Sequence, residues 1–111
     1  MNKRLLNCFY TDAYAKACQS LHLFEVFAKG YLSVAKDFLT DAEAKSLAVG
    51  AKLMTYECGI RFLTDYLNGD VYFKVHYDGH NLDRCHTQFK LVEDMEQKMP
   101  QMQEIVAKYM A

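Results

Sequence analysis

The 111-residue chain lacks tryptophan, has one proline (Pro100) and only five glycines. Helix breakers are therefore scarce, and the sequence reads as mainly α. No internal repeat or low-complexity tract is visible. No run of about 18 apolar residues occurs, so no transmembrane helix is expected. The start, MNKRLLNCFYTDAY, has two early basic residues but no long apolar region or small-residue cleavage site, unlike a signal peptide. A cytoplasmic location is the expectation. An excess of one charge is also missing. Thirteen basic and fourteen acidic residues give a net charge of −1, which supplies no electrostatic footprint for nucleic acid. The four cysteines, Cys8, Cys18, Cys58 and Cys85, form no CxxC pair. Buried free thiols are a better reading than a disulfide framework.

What the chain does have is apolar character, at 51% of residues. That argues against disorder and for one domain with a single modest core. A first helical region spans about Asp12 to Phe38, with a potential break near Ser20-Leu21. Leu21, Phe24, Ala28, Tyr31, Leu32 and Ala35 recur at helical spacing. Thr40-Asp41-Ala42-Glu43 has the form of a capping box and opens a long helix, Asp41 to about Leu67. Val49, Leu53, Tyr56, Ile60, Leu63 and Leu67 make one stripe on it. Leu47, Ala51, Met54 and Cys58 make an adjacent one. Two stripes predict burial over a wide arc and a central place in the fold. Asn68-Gly69 should end this helix, with Gly69 at C′. Val71 to Tyr77 is rich in β-branched and aromatic residues and predicts an extended segment across the helices. A further helix runs from about Asn81 to Met99, with His80 or Asn81 at its cap. Pro100 should end it and open a last helix to about Lys108. The expected fold is thus a mainly α bundle of three to five helices with one short extended segment.

The junction RFLTDYLNGDVYF, Arg61 to Phe73, concentrates polar groups. Glu57, Arg61 and Asp65 stand four apart on one helix face. They make either a solvated charge ladder or an arginine held by flanking acids and presented to a ligand. Asp70 and Tyr72 project to one side of an extended segment. Tyr72 then either packs on the bundle or offers a ring and a phenol to a sugar- or nucleoside-like ligand. His76, His80 and His86 beside Cys85 match no ligand motif, and no metal site is assigned. There is no GxSxG and no phosphate-binding glycine loop, and Cys85 and His86 fall on different helix faces. No catalytic residue is assigned. Met95, Met99, Met102 and Met110 suit an adaptable apolar face.

The stretch LMTYECGIRFLTDYLNGDVYFKVHYDGHNLDRCHTQFKLVEDME, Leu53 to Glu96, resembles the C-terminal end of aminoglycoside-phosphotransferase-like kinases of the N-acetylhexosamine 1-kinase type. The carrying motifs are ECGIRFLTDYLNGDVYF and HNLDRCHTQF, with His86 where the family has arginine. The resemblance extends more weakly over residues 21–108, leaving residues 1–20 divergent. It implies a single helical domain equivalent to the end of the large lobe of a protein-kinase-like fold. It also implies a role in ATP- and magnesium-dependent phosphorylation of the anomeric hydroxyl of N-acetylglucosamine or N-acetylgalactosamine. By the same resemblance Arg61 and Tyr72 are sugar contacts, with Glu57, Asp65 and Asp70 in support. The glycine-rich loop, phosphate-contacting lysine, catalytic aspartate and metal-binding aspartate of such kinases are not recognisable in this chain. ATP and magnesium therefore belong to a full-length kinase, and the chain alone is expected to be inactive and to bind sugar weakly or not at all. The alternative is a free-standing, non-enzymatic interaction module or regulatory subunit. It would self-associate through apolar surface that a missing kinase lobe would otherwise cover.

Overall fold

The computed structural model describes residues 21–111. The expectations placed on residues 1–20, including the helix start near Asp12 and the states of Cys8 and Cys18, lie outside the described residues. Three helices make up the described part: α1 Leu21–Ala35, α2 Asp41–Leu67 and α3 His80–Met110. No strand occurs among the described residues, so the fold is a small, mainly α bundle. None of these helices is long and apolar enough to cross a membrane.

The start of α2 follows from its cap. Thr40 is extended (φ −76°, ψ 163°), and its hydroxyl accepts the Glu43 amide at 3.2 Å. Asp41 and Glu43 lie in the first turn, where the helix dipole favours acids. The return bond of a full capping box, from the Thr40 amide to Glu43, does not form.

α2 and α3 run antiparallel, as their paired residues show. Ala44 meets Val106 at one end, Tyr56 stacks on Phe89 midway (5.5 Å), and Asp65 meets Asn81 at the other. The buried seam of α2 is made of small residues, Ala44, Ala48 and Gly59, with Ala51 and Thr55 half-buried between them. Small side chains let the backbones approach. A Cβ on Gly59 would lie 2.6 Å from the Phe89 ring and 3.2 Å from the Gln88 Cβ. α1 packs on the C-terminal part of α3. Leu32, Ala44 and Val106 form the buried cluster there, with Phe24, Leu39, Leu47, Tyr109 and Met110 around it. Glu25 ties the same end by accepting Tyr109 Oη at 2.9 Å and Lys108 Nζ at 3.2 Å.

Five expectations are corrected. α1 ends at Ala35, and residues 36–38 form a turn in which the Phe38 amide donates to the Ala35 carbonyl at 2.9 Å. α2 is not buried over a wide arc. Leu53, Met54 and Leu67 are more than 60% exposed, because the small-residue seam rather than either large apolar stripe faces α3. The segment 71–77 is broken by bends rather than uniformly extended, its first three amides being claimed by a carboxylate described below. The N-cap of α3 is Gly79, at φ 83°, with no side-chain cap; Asn81 turns inward instead. Finally, α3 continues through Pro100 to Met110. Proline there removes one intrahelical bond at a typical cost of about 3 kcal/mol. Burial of Val92 before it and of Met102 and Val106 after it holds the two halves in line.

Candidate functional site

The helix end at Asn68 is a Schellman closure. The Gly69 amide donates to the Tyr66 carbonyl at 3.2 Å and the Asp70 amide to the Asp65 carbonyl at 2.8 Å. Gly69 has φ 95°, which its missing Cβ permits, and Asp70 follows at φ 60°. Two successive left-handed residues fold the chain back over the last turns of α2. The next three amides then converge on one side chain. Val71 (3.0 Å) and Tyr72 (2.7 Å) donate to Asp65 Oδ1, and Phe73 (3.0 Å) donates to Oδ2. Asn81 Nδ2 adds a fourth bond at 2.7 Å. This is an anion nest of consecutive backbone amides, occupied by the protein's own carboxylate.

Asp65 is 4% exposed. Burial pushes its carboxyl up, but the amides of Phe73, Tyr72 and Val71 and the Asn81 side chain more than offset this, and the pKa falls below the ordinary value. Asn81 is fully buried. The same Nδ2 also donates to Asp70 Oδ1 at 3.0 Å, and its Oδ1 accepts Arg84 Nη1 at 3.0 Å. No buried side-chain nitrogen or oxygen is left unpartnered among the described residues. Asp65 is therefore saturated as an acceptor and holds the loop in place rather than offering a base.

The anchored loop sets Tyr72 beside Arg61 of α2. The Arg61 guanidinium lies 5.6 Å from the centre of the Tyr72 ring and 5.5 Å from that of Phe73. The two rings meet edge to face at 4.8 Å, and Phe73 packs on Phe62. Tyr72 is 73% exposed. A shallow open cleft of about 320 Å³ is lined by Arg61, Thr64, Asp65, Asn68, Tyr72 and Phe73. The structure thus brings Arg61 and Tyr72 together. It does not form the ladder: among the described residues no ion pair joins Glu57 or Asp65 to Arg61. Glu57 is exposed and away from the cleft lining, and Asp70 faces Asn81. Arg61 stands six residues before the end of α2, not in its last turn. The residue that sequence reasoning missed is Asn81. Its signal was its place between a turn and the first apolar residue of a helix, which reads locally as a cap.

Around the start of α3 the other polar side chains are occupied. Tyr77 Oη donates to Asp83 Oδ2 at 2.9 Å, and burial together with that carboxylate raises the phenol's pKa. His80 accepts the His76 amide on Nδ1 at 3.2 Å, and burial, with Arg84 and His76 nearby, lowers its pKa. Burial raises the pKa of the Cys85 thiol, which disfavours the thiolate. No group of three or more His, Cys, Asp or Glu able to hold a metal occurs among the described residues.

Fold and site together define a small helical bundle that presents an arginine–aromatic shelf on a carboxylate-anchored loop. No model of a known protein family matches the chain.

Proposed function

We propose that this chain is the sugar-contacting helical portion of a phosphotransferase acting on N-acetylhexosamines, with Arg61 and Tyr72 as its contacts. The observation behind the reading is the shelf itself. An exposed tyrosine stands beside a guanidinium held 5.6 Å from its ring, on a loop fixed by three amide hydrogen bonds to Asp65. An aromatic face packs against the apolar side of a sugar ring, and arginine supplies directional donors to hydroxyl and acetamido oxygens. ATP and magnesium would be handled by a lobe this chain does not contain. Arg61, Tyr72 and Phe73 form one wall, so affinity in the millimolar range is expected.

Titration of N-acetylglucosamine and N-acetylgalactosamine into the labelled chain, followed by NMR, tests the reading. Shifts confined to the Arg61 side chain and to Tyr72 and Phe73, and lost in Arg61→Ala, are the expected result. No shift at about 100 mM sugar would show that this wall does not bind sugar unaided, and unchanged sugar KM and kcat on Arg61→Ala in a full-length kinase carrying this segment would sink the reading. The exposed apolar surface of α2 favours a second reading, a helical module that associates with a further chain.

A further inference from the structure

Among the described residues one seam of α2 is buried against α3, and the other is largely exposed, touching α3 through the Tyr56–Phe89 stack. The small-residue seam lies against α3. The other consists of Val49, Leu53, Tyr56, Ile60, Leu63 and Leu67, at alternating spacings of four and three. That is the a/d repeat of a two-stranded coiled coil, with Leu53, Ile60 and Leu67 at a and Val49, Tyr56 and Leu63 at d. Five of the six are exposed, from 41% at Ile60 to 74% at Leu67. A continuous 3.5-residue apolar repeat specifies a helix as its occupant, because knobs at this spacing fit the holes of another helix.

The charges beside the seam select which helix. Lys52 takes the g position and Glu57 the following e position, five residues on. In a parallel homodimer each Lys52 faces the partner's Glu57, giving two symmetric ion pairs. In an antiparallel pair of the full seam the two Glu57 side chains would meet near its centre and Lys52 would have no acid on the flanking positions opposite it. Among the described residues Glu57 has no ion pair, and the one ion pair of Lys52 is a 3.8 Å contact to Glu96, with the two side chains half-buried and exposed respectively. We infer that α2 is the interface of a parallel homodimer, in which the Val49–Leu67 seam pairs with its copy and Lys52 pairs with the partner's Glu57. Arg61 falls at a b position, off the seam, so the interface leaves the Tyr72 shelf open.

Sedimentation equilibrium on the full chain, with far-UV circular dichroism as the folding control, tests this. The wild type should be a dimer. Leu53→Glu, at a position already 62% exposed, should give a folded monomer. Phe27→Glu, on the competing apolar groove between α1 and α2, should leave the dimer intact. Glu57→Lys and Lys52→Glu should each weaken dimerisation, roughly tenfold, and the double exchange should restore it. Glu57→Lys gives the cleaner result, because Lys52→Glu also sets a like charge beside Glu96. A wild-type monomer at high concentration, a dimer insensitive to Leu53→Glu, or charge reversals that strengthen association would each overturn the inference.

Discussion

The two ends of the α2–α3 pair are held by opposite means. At the α2 C-terminus, Asp65 gathers three backbone amides and the Asn81 side chain, and Asn81 links on to Asp70 and Arg84. At the α2 N-terminus, Leu32, Ala44 and Val106 meet in a small apolar cluster, and much of the surface beside it is exposed aromatic. Hydrogen bonds fix direction, whereas packing fixes only proximity. The polar end therefore shapes a loop that sets Tyr72 beside Arg61, while the apolar end simply attaches α1. The lesson is that a buried, fully satisfied carboxylate can organise a recognition surface without taking part in it.

Asp65→Ala is the strongest way to break this contrast. It leaves the amides of Val71, Tyr72 and Phe73 without their acceptor and Asn81 Nδ2 with Asp70 alone, and each orphaned amide is costly. A fall in melting temperature on the order of 20 °C is expected. Amide exchange should localise the damage, with Val71, Tyr72 and Phe73 losing protection and the α1 contact with α3 keeping its own. If those three amides stay protected, Asp65 does not hold the loop.

The apolar end should give way separately. Leu32 is fully buried, and truncation of such a leucine to alanine costs about 3 kcal/mol. Leu32→Ala should loosen α1 from α3, seen as loss of the Glu25–Tyr109 contact in NMR, while chemical shifts at Arg61 and Tyr72 hold. Movement at the shelf in this variant would show that the two ends are coupled and break the comparison from the other side.

The contrast also explains what the sequence made legible. Local chemistry was readable: Thr40 as the α2 cap and Gly69 as its C′ both stand where the residue types require. The mainly α bundle follows from scarce breakers and helical periodicity. Face selection was not readable. Asp65 stands four residues after Arg61 and reads as part of a surface ladder until the loop folds back and draws it inside. Asn81 reads as a cap because its partners, Asp65 and Asp70, come from another element. Large apolar stripes suggested the core of α2, yet the side that packs on α3 carries alanines and Gly59, because close helix approach rewards small residues over hydrophobic ones. Pro100 reads as a stop, but packing on both sides of it outweighs a local preference. Arg61 and Tyr72 were singled out from residue type and resemblance, and their juxtaposition depends on the two left-handed residues, Gly69 and Asp70, between them.

The smallest effect, and the sharpest probe of the comparison, is pH. Asp65 and Glu25 both titrate below their ordinary values in the folded chain, so each contributes stability above its unfolded pKa. That contribution is lost as pH falls through the lowered folded value. The Glu25 shift comes from hydrogen bonds to Tyr109 and Lys108, then from the Lys108 charge. It sits at a half-buried site paired with an exposed Lys108, where solvent and salt screen such pairs. The midpoint of urea unfolding should therefore decline slightly between pH 7 and about 5, where the unfolded chain protonates His80 and the folded chain resists it, and fall more steeply below about pH 4, close to the unbound carboxylate range. In Asp65→Asn the acid limb should largely disappear, since the carboxylate that titrates at the polar end is gone. In Glu25→Gln it should shrink only slightly, and less still in added salt. An acid limb that survives Asp65→Asn and vanishes in Glu25→Gln would reverse the assignment, placing the electrostatic anchor of the fold at the α1 end rather than at the Asp65 junction.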